Sequence, residues 1–258
     1  MTGYGWVDAP DTVRQRVHEC IRVVQQLVGP NLVGVYLFGS LAMGCFNPRS
    51  SDVDLLIVTN SGMAAETKKR VAEALLRLSN APTPLEVTFL TNESLQRWRH
   101  PSPYDFHFSE DCRGEHEQIL RRGEWPCWQG TQGENSHVAV SVTVARERGI
   151  TLFGAPAHST LPQVPERDFI AAILADSRWV RERMNQFPAY AILNHCRTLA
   201  YLREKQVLSK TAGGVWALTA LPGEYHDLIA QALEEYGGGP RNAFDTARLE
   251  QFLGDDDD

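Results

Sequence analysis

The chain has 258 residues, of which 43% are hydrophobic and 22% are charged. These proportions are typical of a globular protein with one large domain or two of ordinary size. Its formal net charge of −7 argues against the basic field of a nucleic-acid binder. No segment approaches the roughly 18 to 20 apolar residues that span a bilayer, and residues 1–10 lack the basic start and apolar run of a signal peptide. We therefore expect a soluble, cytoplasmic protein without a nucleic-acid or membrane partner.

Cysteine and histidine usage excludes two common kinds of site. The five cysteines are scattered and odd in number, and no two of them form a CxxC pair, which argues against a disulfide framework and a zinc site. His116-Glu117 has no second histidine at the spacing of an HExxH motif. The four aspartates at residues 255–258 are expected to form a frayed end.

The first part of the chain predicts a small mixed α/β unit. Apolar residues at helical spacing predict a helix over residues 11–28, with Asp11 as its N-cap and Gly29-Pro30 as its end. A small-residue, turn-prone loop follows the first strand over residues 40–51. The remaining predicted elements are strands at 32–39, 53–59 and 85–90 and a helix at 64–79.

The second part of the chain predicts a helical domain. Residues 91–136 read as long connections with one short helix near 110–122, and residues 137–149 favour a helix although their alternation would also suit a strand. Residues 154–156 and 162–165 are typical of a linker, so we place a domain boundary near residue 155. Further helices are predicted at 167–185, 188–205, 211–220, 223–236 and about 243–253.

Three acidic residues and a glycine–serine turn carry the chemical information. Asp52 and Asp54 are two apart at the second predicted strand, so both side chains should point to one face about 7 Å apart. Glu86 lies in the third predicted strand and would add a third carboxylate if the strands are neighbours. Aspartate is depleted in strand interiors and costly in cores, so its presence in such an apolar run suggests a function.

The ligand chemistry of this group points to magnesium and phosphate. Carboxylates without histidine or cysteine suit a hard cation, above all Mg²⁺, which completes its shell with phosphate oxygens and water. Gly39 allows close backbone approach and Ser40 offers a hydroxyl and an N–H to phosphate. No lysine precedes Ser40, so the turn is not a Walker A loop. The combination indicates metal-assisted phosphoryl or nucleotidyl transfer. Arg49 is a further phosphate candidate, although a solvated loop arginine is the simpler interpretation.

These motifs resemble those of the nucleotidyltransferase superfamily that includes DNA polymerase β. The similarity is closer to the aminoglycoside (3'')/(9) adenylyltransferases, the streptomycin and spectinomycin resistance enzymes. It covers nearly the whole chain and is most diffuse over residues 91–136. The resemblance implies an α/β (α+β) nucleotidyltransferase domain with a mixed sheet over residues 1–155 and an all-α helical-bundle domain over residues 156–258. The matching segments are residues 37–40, 51–56, 85–88 and 197–199, with Ser209-Lys210 and Trp216.

The resemblance also implies a role for each matching residue. Asp52 and Asp54 would hold two Mg²⁺ ions together with Glu86, which would act as general base on a drug hydroxyl. The triphosphate of ATP would be bound by Gly39, Ser40, Arg197 and Lys210. The drug oxygen would attack the α-phosphorus in line, so that AMP ends on the drug and pyrophosphate leaves. ATP and the antibiotic are then the expected partners of a monomeric enzyme.

The sequence departs from the family pattern where the drug would bind. The family holds cationic rings with tryptophan and aspartate side chains, and here Trp179 is the stacking candidate although a helical tryptophan is more often core. The nearest carboxylate is Glu182, and Asp111 stands where streptomycin-modifying relatives carry a tryptophan. These departures favour spectinomycin, or another drug, over streptomycin. Further pocket candidates are Tyr190, His195 and Glu110.

Two alternatives to an antibiotic-modifying enzyme stay open. One is a nucleotidyltransferase that acts on another target, such as a lincosamide, a protein side chain or an RNA end. The other is a non-catalytic nucleotide-binding module. An RNA target would favour a basic surface rather than a net charge of −7, and a pure binder need not keep three mutually repelling carboxylates.

Overall fold

The computed structural model describes residues 3–241 and 243–254, so the predicted frayed end at residues 255–258 lies outside the described residues. The chain divides into one unit spanning Tyr4–Pro165 and a second that begins at Glu166. Residues 162–165, which the sequence marks as part of a linker, end the first unit. Among the described residues, no helix is long and apolar enough to cross a membrane.

A mixed sheet forms the centre of the first unit. This sheet and a separate two-stranded sheet are built from the strands β1 Leu32–Phe38, β2 Val53–Thr59, β3 Leu85–Thr91, β4 Ser102–Tyr104, β5 Phe106–Phe108, β6 Gly133–Asn135 and β7 Ile150–Phe153. In the described part of the chain the larger sheet has five strands in the order β5-β3-β2-β1-β7, and β4 pairs with β6. Within the larger sheet β2 and β3 run parallel and the other neighbours are antiparallel.

Helices cover both faces of this sheet. The helices of the first unit are α1 Asp11–Val28, α2 Gly39–Ala42, α3 Ala65–Leu78, α4 Asn92–Gln96, α5 Arg113–Arg122, α6 His137–Arg148 and α7 Ala157–Thr160. Helix α3 connects β2 to β3, and such a crossover is what allows two consecutive strands to run parallel. Helices α1 and α3 contribute to the core that includes one face of the strands, and α6 contacts β1 and β2.

The sequence predicted the long elements of this unit and missed the short ones. The predicted helices at 11–28, 64–79 and 137–149 and all three predicted strands are present. The prediction that Asp11 is the N-cap is wrong, because Pro10 takes that position and Asp11 is the first helical residue. The region 91–136, predicted as connections with one helix, also contains β4, β5, β6 and α4, since such short elements give no clear periodicity.

A buried ion pair joins separate parts of the first unit. The Lys68 side chain on α3 is fully buried, and its Nζ lies 2.7 Å from Asp105 Oδ1. The same ammonium group donates a 2.6 Å hydrogen bond to the carbonyl of Gly130, while Asp105 Oδ2 accepts one from the Met63 backbone at 2.8 Å. The pair therefore connects α3 to the β4–β5 turn and to the loop before β6.

The second unit is a helical bundle centred on one helix. Its helices are α8 Glu166–Arg181, α9 Pro188–Glu204, α10 Lys210–Ala220, α11 His226–Tyr236 and α12 Thr246–Gly254. Helix α9 contacts each of the other four, which explains why most of its side chains are buried. Gly213 lets α10 approach α9 closely, because a Cβ atom there would lie 2.8 Å from Arg197 Cα. The mixed-sheet domain followed by an all-α region confirms the predicted fold class.

Candidate active site

The three carboxylates predicted to converge lie together at one end of the sheet. The parallel register of β2 and β3 places Asp54 directly opposite Glu86, and Asp52 comes immediately before β2. One carboxylate oxygen from each residue lies within 4.8 Å of the other two, and all three residues are half-buried. Each pair of unit charges at that distance repels by about 3.5 kcal/mol at an effective dielectric constant of about 20.

This group fits a hard divalent cation. Its ligand atoms are carboxylate oxygens, and their separation allows all of them to contact one ion. Oxygen ligands at partly exposed positions suit Mg²⁺, which keeps several water molecules and binds phosphate oxygens at the same time. The carboxylates of Asp52, Asp54 and Glu86 are therefore the residues that would hold the metal.

The glycine–serine turn lies against the same carboxylates. Phe38 pairs with Asp54 at the end of β1, and Gly39 follows with a φ of +66°. A Cβ atom at Gly39 would lie only 1.8 Å from Asp54 Oδ2, so glycine is needed both for the left-handed backbone and for the close approach. The buried hydroxyl of Ser40 has no hydrogen-bond partner among the described residues. It is therefore available to a ligand oxygen.

Arg49 lies in the turn between α2 and β2. Its side chain is exposed, and its backbone N–H donates a 3.0 Å hydrogen bond to Asn47 Oδ1. The exposed position favours the interpretation of Arg49 as a solvated loop residue.

The two cations assigned to phosphate belong to neighbouring helices of the second unit. Arg197 on α9 donates a 2.9 Å hydrogen bond from Nε to Asn194 Oδ1. Lys210 is the first residue of α10, and its ammonium nitrogen lies 4.3 Å from the ring centroid of Tyr190 and 5.8 Å from that of Tyr236. Tyr190 was among the pocket candidates predicted from the sequence, but Tyr236 was not, because nothing in its local sequence links it to a lysine on another helix.

Comparison with known proteins decides the family. The nucleotidyltransferase domain model matches residues 17–107, and the model of the aminoglycoside adenylyltransferase C-terminal domain matches residues 159–254. Spectinomycin 9-adenylyltransferase of Staphylococcus aureus is 30% identical over 229 residues, which cover 85% of this chain and 84% of that protein. The chain belongs to the aminoglycoside adenylyltransferase family.

A second sequence relative agrees with this assignment, and a solved structure has the same fold. The aminoglycoside (3'')(9) adenylyltransferase of Klebsiella pneumoniae is 26% identical over 255 residues, covering 93% of this chain and 92% of that one. The crystal structure of spectinomycin adenyltransferase AAD(9) from Enterococcus faecialis, with ATP and spectinomycin, has a TM-score of 0.78 at 18% identity. It covers 93% of this chain and 96% of that one, so the two share a fold.

Two drug-binding candidates of the second unit, Trp179 and Glu182, both contact Arg183. The Trp179 side chain is 48% exposed, and the guanidinium carbon of Arg183 lies 4.3 Å from its ring centroid. Glu182 is an exposed carboxylate whose Oε2 lies 3.3 Å from Arg183 Nη1. The ring therefore already stacks with a cation, and that cation is partly neutralised by Glu182.

Two of the other candidates make structural contacts inside their own units. Glu110 accepts hydrogen bonds of 2.7 and 2.9 Å from Arg113 and another from the Ser79 hydroxyl, and the Arg113 bond is the main reason that its pKa is lowered. His195 is buried, with its ring centroid 4.9 Å from that of Phe252. Asp111 is exposed in the segment just before α5.

A partly buried polar pair near Glu86 was not predicted from the sequence. Thr88 follows Glu86 by two residues on β3, so both side chains lie on one face, and Thr88 pairs with His107 on β5. The Thr88 hydroxyl lies 3.0 Å from His107 Nδ1. Burial lowers the pKa of His107 to about 4, with smaller contributions from His137 and His116 and an opposing one from Asp111. The ring is therefore neutral at neutral pH.

Proposed function

We propose that this adenylyltransferase transfers AMP from ATP to a hydroxyl group of an aminocyclitol antibiotic, with spectinomycin preferred over streptomycin, and releases pyrophosphate. The observation that carries the proposal is the convergence of Asp52, Asp54 and Glu86 beside the turn formed by Gly39 and Ser40. Family membership supports the activity, and the acidic group supplies the chemistry that a nucleotidyl transfer needs.

In this proposal the acidic residues have two roles, as general base and as metal ligands. Glu86 accepts the proton of the drug hydroxyl, which is a poor nucleophile at neutral pH, and a positioned base of this kind contributes roughly 10²- to 10⁴-fold to the rate. Asp52 and Asp54, with Glu86, would hold two Mg²⁺ ions. Bound Mg²⁺ would offset the negative charge that grows on the leaving pyrophosphate.

The nucleotide is assigned to the turn and to two cations. Gly39 leaves room for the triphosphate to approach the backbone, and the Ser40 hydroxyl is free to donate to a phosphate oxygen. Arg197 and Lys210 are assigned to the phosphates on the strength of the family resemblance.

The preference for spectinomycin rests on departures from the family pattern and on the names of similar proteins. Asp111 replaces the tryptophan expected in streptomycin-modifying relatives, and Arg183 places a positive charge over the Trp179 ring. A multiply cationic ligand would have to displace that guanidinium group, with Glu182 as the nearest compensating carboxylate. The relative at 30% identity is named for spectinomycin, and AAD(9) was solved with ATP and spectinomycin.

Pyrophosphate release from Mg·ATP tests the proposal directly. Purified protein is incubated with spectinomycin, streptomycin, a lincosamide or no acceptor, and mass spectrometry of the drug shows whether one AMP unit is gained. We expect rapid release with spectinomycin and slower release with streptomycin. Release that is independent of any drug, or transfer to the lincosamide alone, would refute the substrate assignment.

Substitution of the proposed base tests the mechanism separately. Glu86→Gln keeps the size of the side chain and removes the base, so turnover should be lost while calorimetry still detects ATP binding. Transfer of AMP at the wild-type rate would show that another group accepts the proton.

A further inference from the structure

Two hydrogen bonds tie the backbone on either side of Asp52 to the segment that precedes β3. On one side, the Thr83 hydroxyl donates to the carbonyl of Ser51 at 2.7 Å. On the other side, the N–H of Val53 donates to the carbonyl of Pro84 at 2.9 Å. Asp52 therefore lies between two connections to the segment that leads into Glu86.

The first of these bonds depends on a side chain because the backbone has no donor to offer. Pro84 has no N–H, so it cannot extend the hydrogen-bond ladder to the strand that starts at Val53. The hydroxyl of Thr83 supplies the donor instead, and its side chain is almost fully buried at 1% exposure. The link continues the pairing of β2 and β3 upstream of the first residue of each strand.

Two further bonds near Asp52 are local to its own turn. Ser51 donates from its backbone N–H to the carbonyl of Asn47 at 2.8 Å, and its hydroxyl accepts from the N–H of Asn47 at 3.0 Å. These bonds shape the turn but do not connect it to β3. The Thr83 hydroxyl thus connects this turn to the segment that leads into Glu86.

We infer that Thr83 is a positioning residue, whose hydroxyl bond to Ser51 holds Asp52 close to Asp54 and Glu86 so that the three carboxylates bind a divalent cation. The inference rests on the metal centre of the proposed function. Like-charged carboxylates move apart when their backbone is free to move, and loss of this bond would let Asp52 retreat from the other two. Cation affinity then falls, because the ligands must be brought together at the moment of binding.

The experiment measures Mn²⁺ binding to the protein alone, without ATP or drug, by the loss of the free-Mn²⁺ signal in electron paramagnetic resonance. Thr83→Val removes the hydroxyl with little change in shape, and Thr83→Ser retains it. The matched control is Thr59→Val, because the buried Thr59 hydroxyl donates to the Leu90 carbonyl at 3.3 Å at the opposite ends of the same two strands.

Thr83→Val should raise the Kd for Mn²⁺ about tenfold, the lower end of the 10- to 100-fold loss that follows when ligands of a metal site lose the groups that orient them. Thr83→Ser and Thr59→Val should bind Mn²⁺ like the wild type, even where Thr59→Val lowers the melting temperature. Should the valine variant fail to fold, Thr83→Ala removes the same hydroxyl and is judged in the same way.

Unchanged affinity in Thr83→Val, or an equal loss in Thr59→Val, would overturn the inference and leave the metal centre in place. A separate variant, Asp54→Asn, tests the centre itself. If Asp54→Asn binds Mn²⁺ as tightly as the wild type, the ion is not held by the acidic group, and both the metal assignment and the role of Thr83 fall.

Discussion

Replacement of Gly39 by alanine should inactivate the enzyme out of proportion to its effect on stability. The added Cβ would lie 1.8 Å from Asp54 Oδ2, a distance that must grow beyond 3.0 Å. The carboxylate therefore has to retreat by more than 1 Å from its present position. A misplacement of about 1 Å at a reacting centre costs on the order of 10²-fold in rate, so we expect at least that loss in kcat.

The matched control separates this clash from backbone strain. Gly44 also has a positive φ, +75°, and a Cβ atom there would meet nothing within 4 Å in the described part of the chain. Both alanine variants should lose about 1–2 kcal/mol of unfolding free energy from the left-handed backbone, as measured by urea denaturation. Only Gly39→Ala should lose pyrophosphate release and Mn²⁺ binding. If Gly39→Ala were as active as Gly44→Ala, a clash with the Asp54 carboxylate would not be the reason that glycine is needed at position 39.

Two further predictions concern buried groups of the first unit. Lys68→Met leaves the Asp105 carboxylate buried without its ion-pair partner and should lower the free energy of unfolding in urea by about 3–5 kcal/mol. The control Lys205→Met breaks an exposed pair with Glu166 and should lower it by about 0–1 kcal/mol. Equal losses in the two variants would contradict the role given to burial. Because burial lowers the pKa of His107 in the folded protein to about 4, below the ordinary histidine value of 6.5, only the unfolded chain takes up that proton between these pH values. Stability therefore falls as pH drops through this window. Between pH 7.5 and 5, the free energy of unfolding of His107→Gln should therefore fall by roughly 2 kcal/mol less than that of the wild type. Denaturation at the two pH values measures both changes, and equal changes in variant and wild type would contradict the assignment.

The acidic group was predictable because its signal is local and unusual. Asp54 and Glu86 interrupt strongly apolar strands, and the consecutive strand–helix–strand pattern predicts that such strands are neighbours. Gly39 was predicted to allow close approach, but the contact with Asp54 requires the register of β1 and β2.

Other features depend on contacts between residues far apart in the chain. The Thr88–His107 pair needs β5, a strand of three residues that is too short to show alternation. Tyr236 reaches Lys210 through the packing of α11 beside α10, which no local pattern reveals. The N-cap prediction failed for a local reason: Pro10 has the extended backbone of a cap, and Asp11 is favourable in the first turn because of the helix dipole.

The tight crossing of α9 and α10 has a consequence for variant screens. Gly213 follows Lys210 by three residues, and a methyl group at this position would push α10 outward from the Arg197 backbone. The ammonium group of Lys210 would move with the helix. A library that randomises only the residues assigned to the nucleotide in the proposed function would leave Gly213, which sets the position of the Lys210 charge, unsampled.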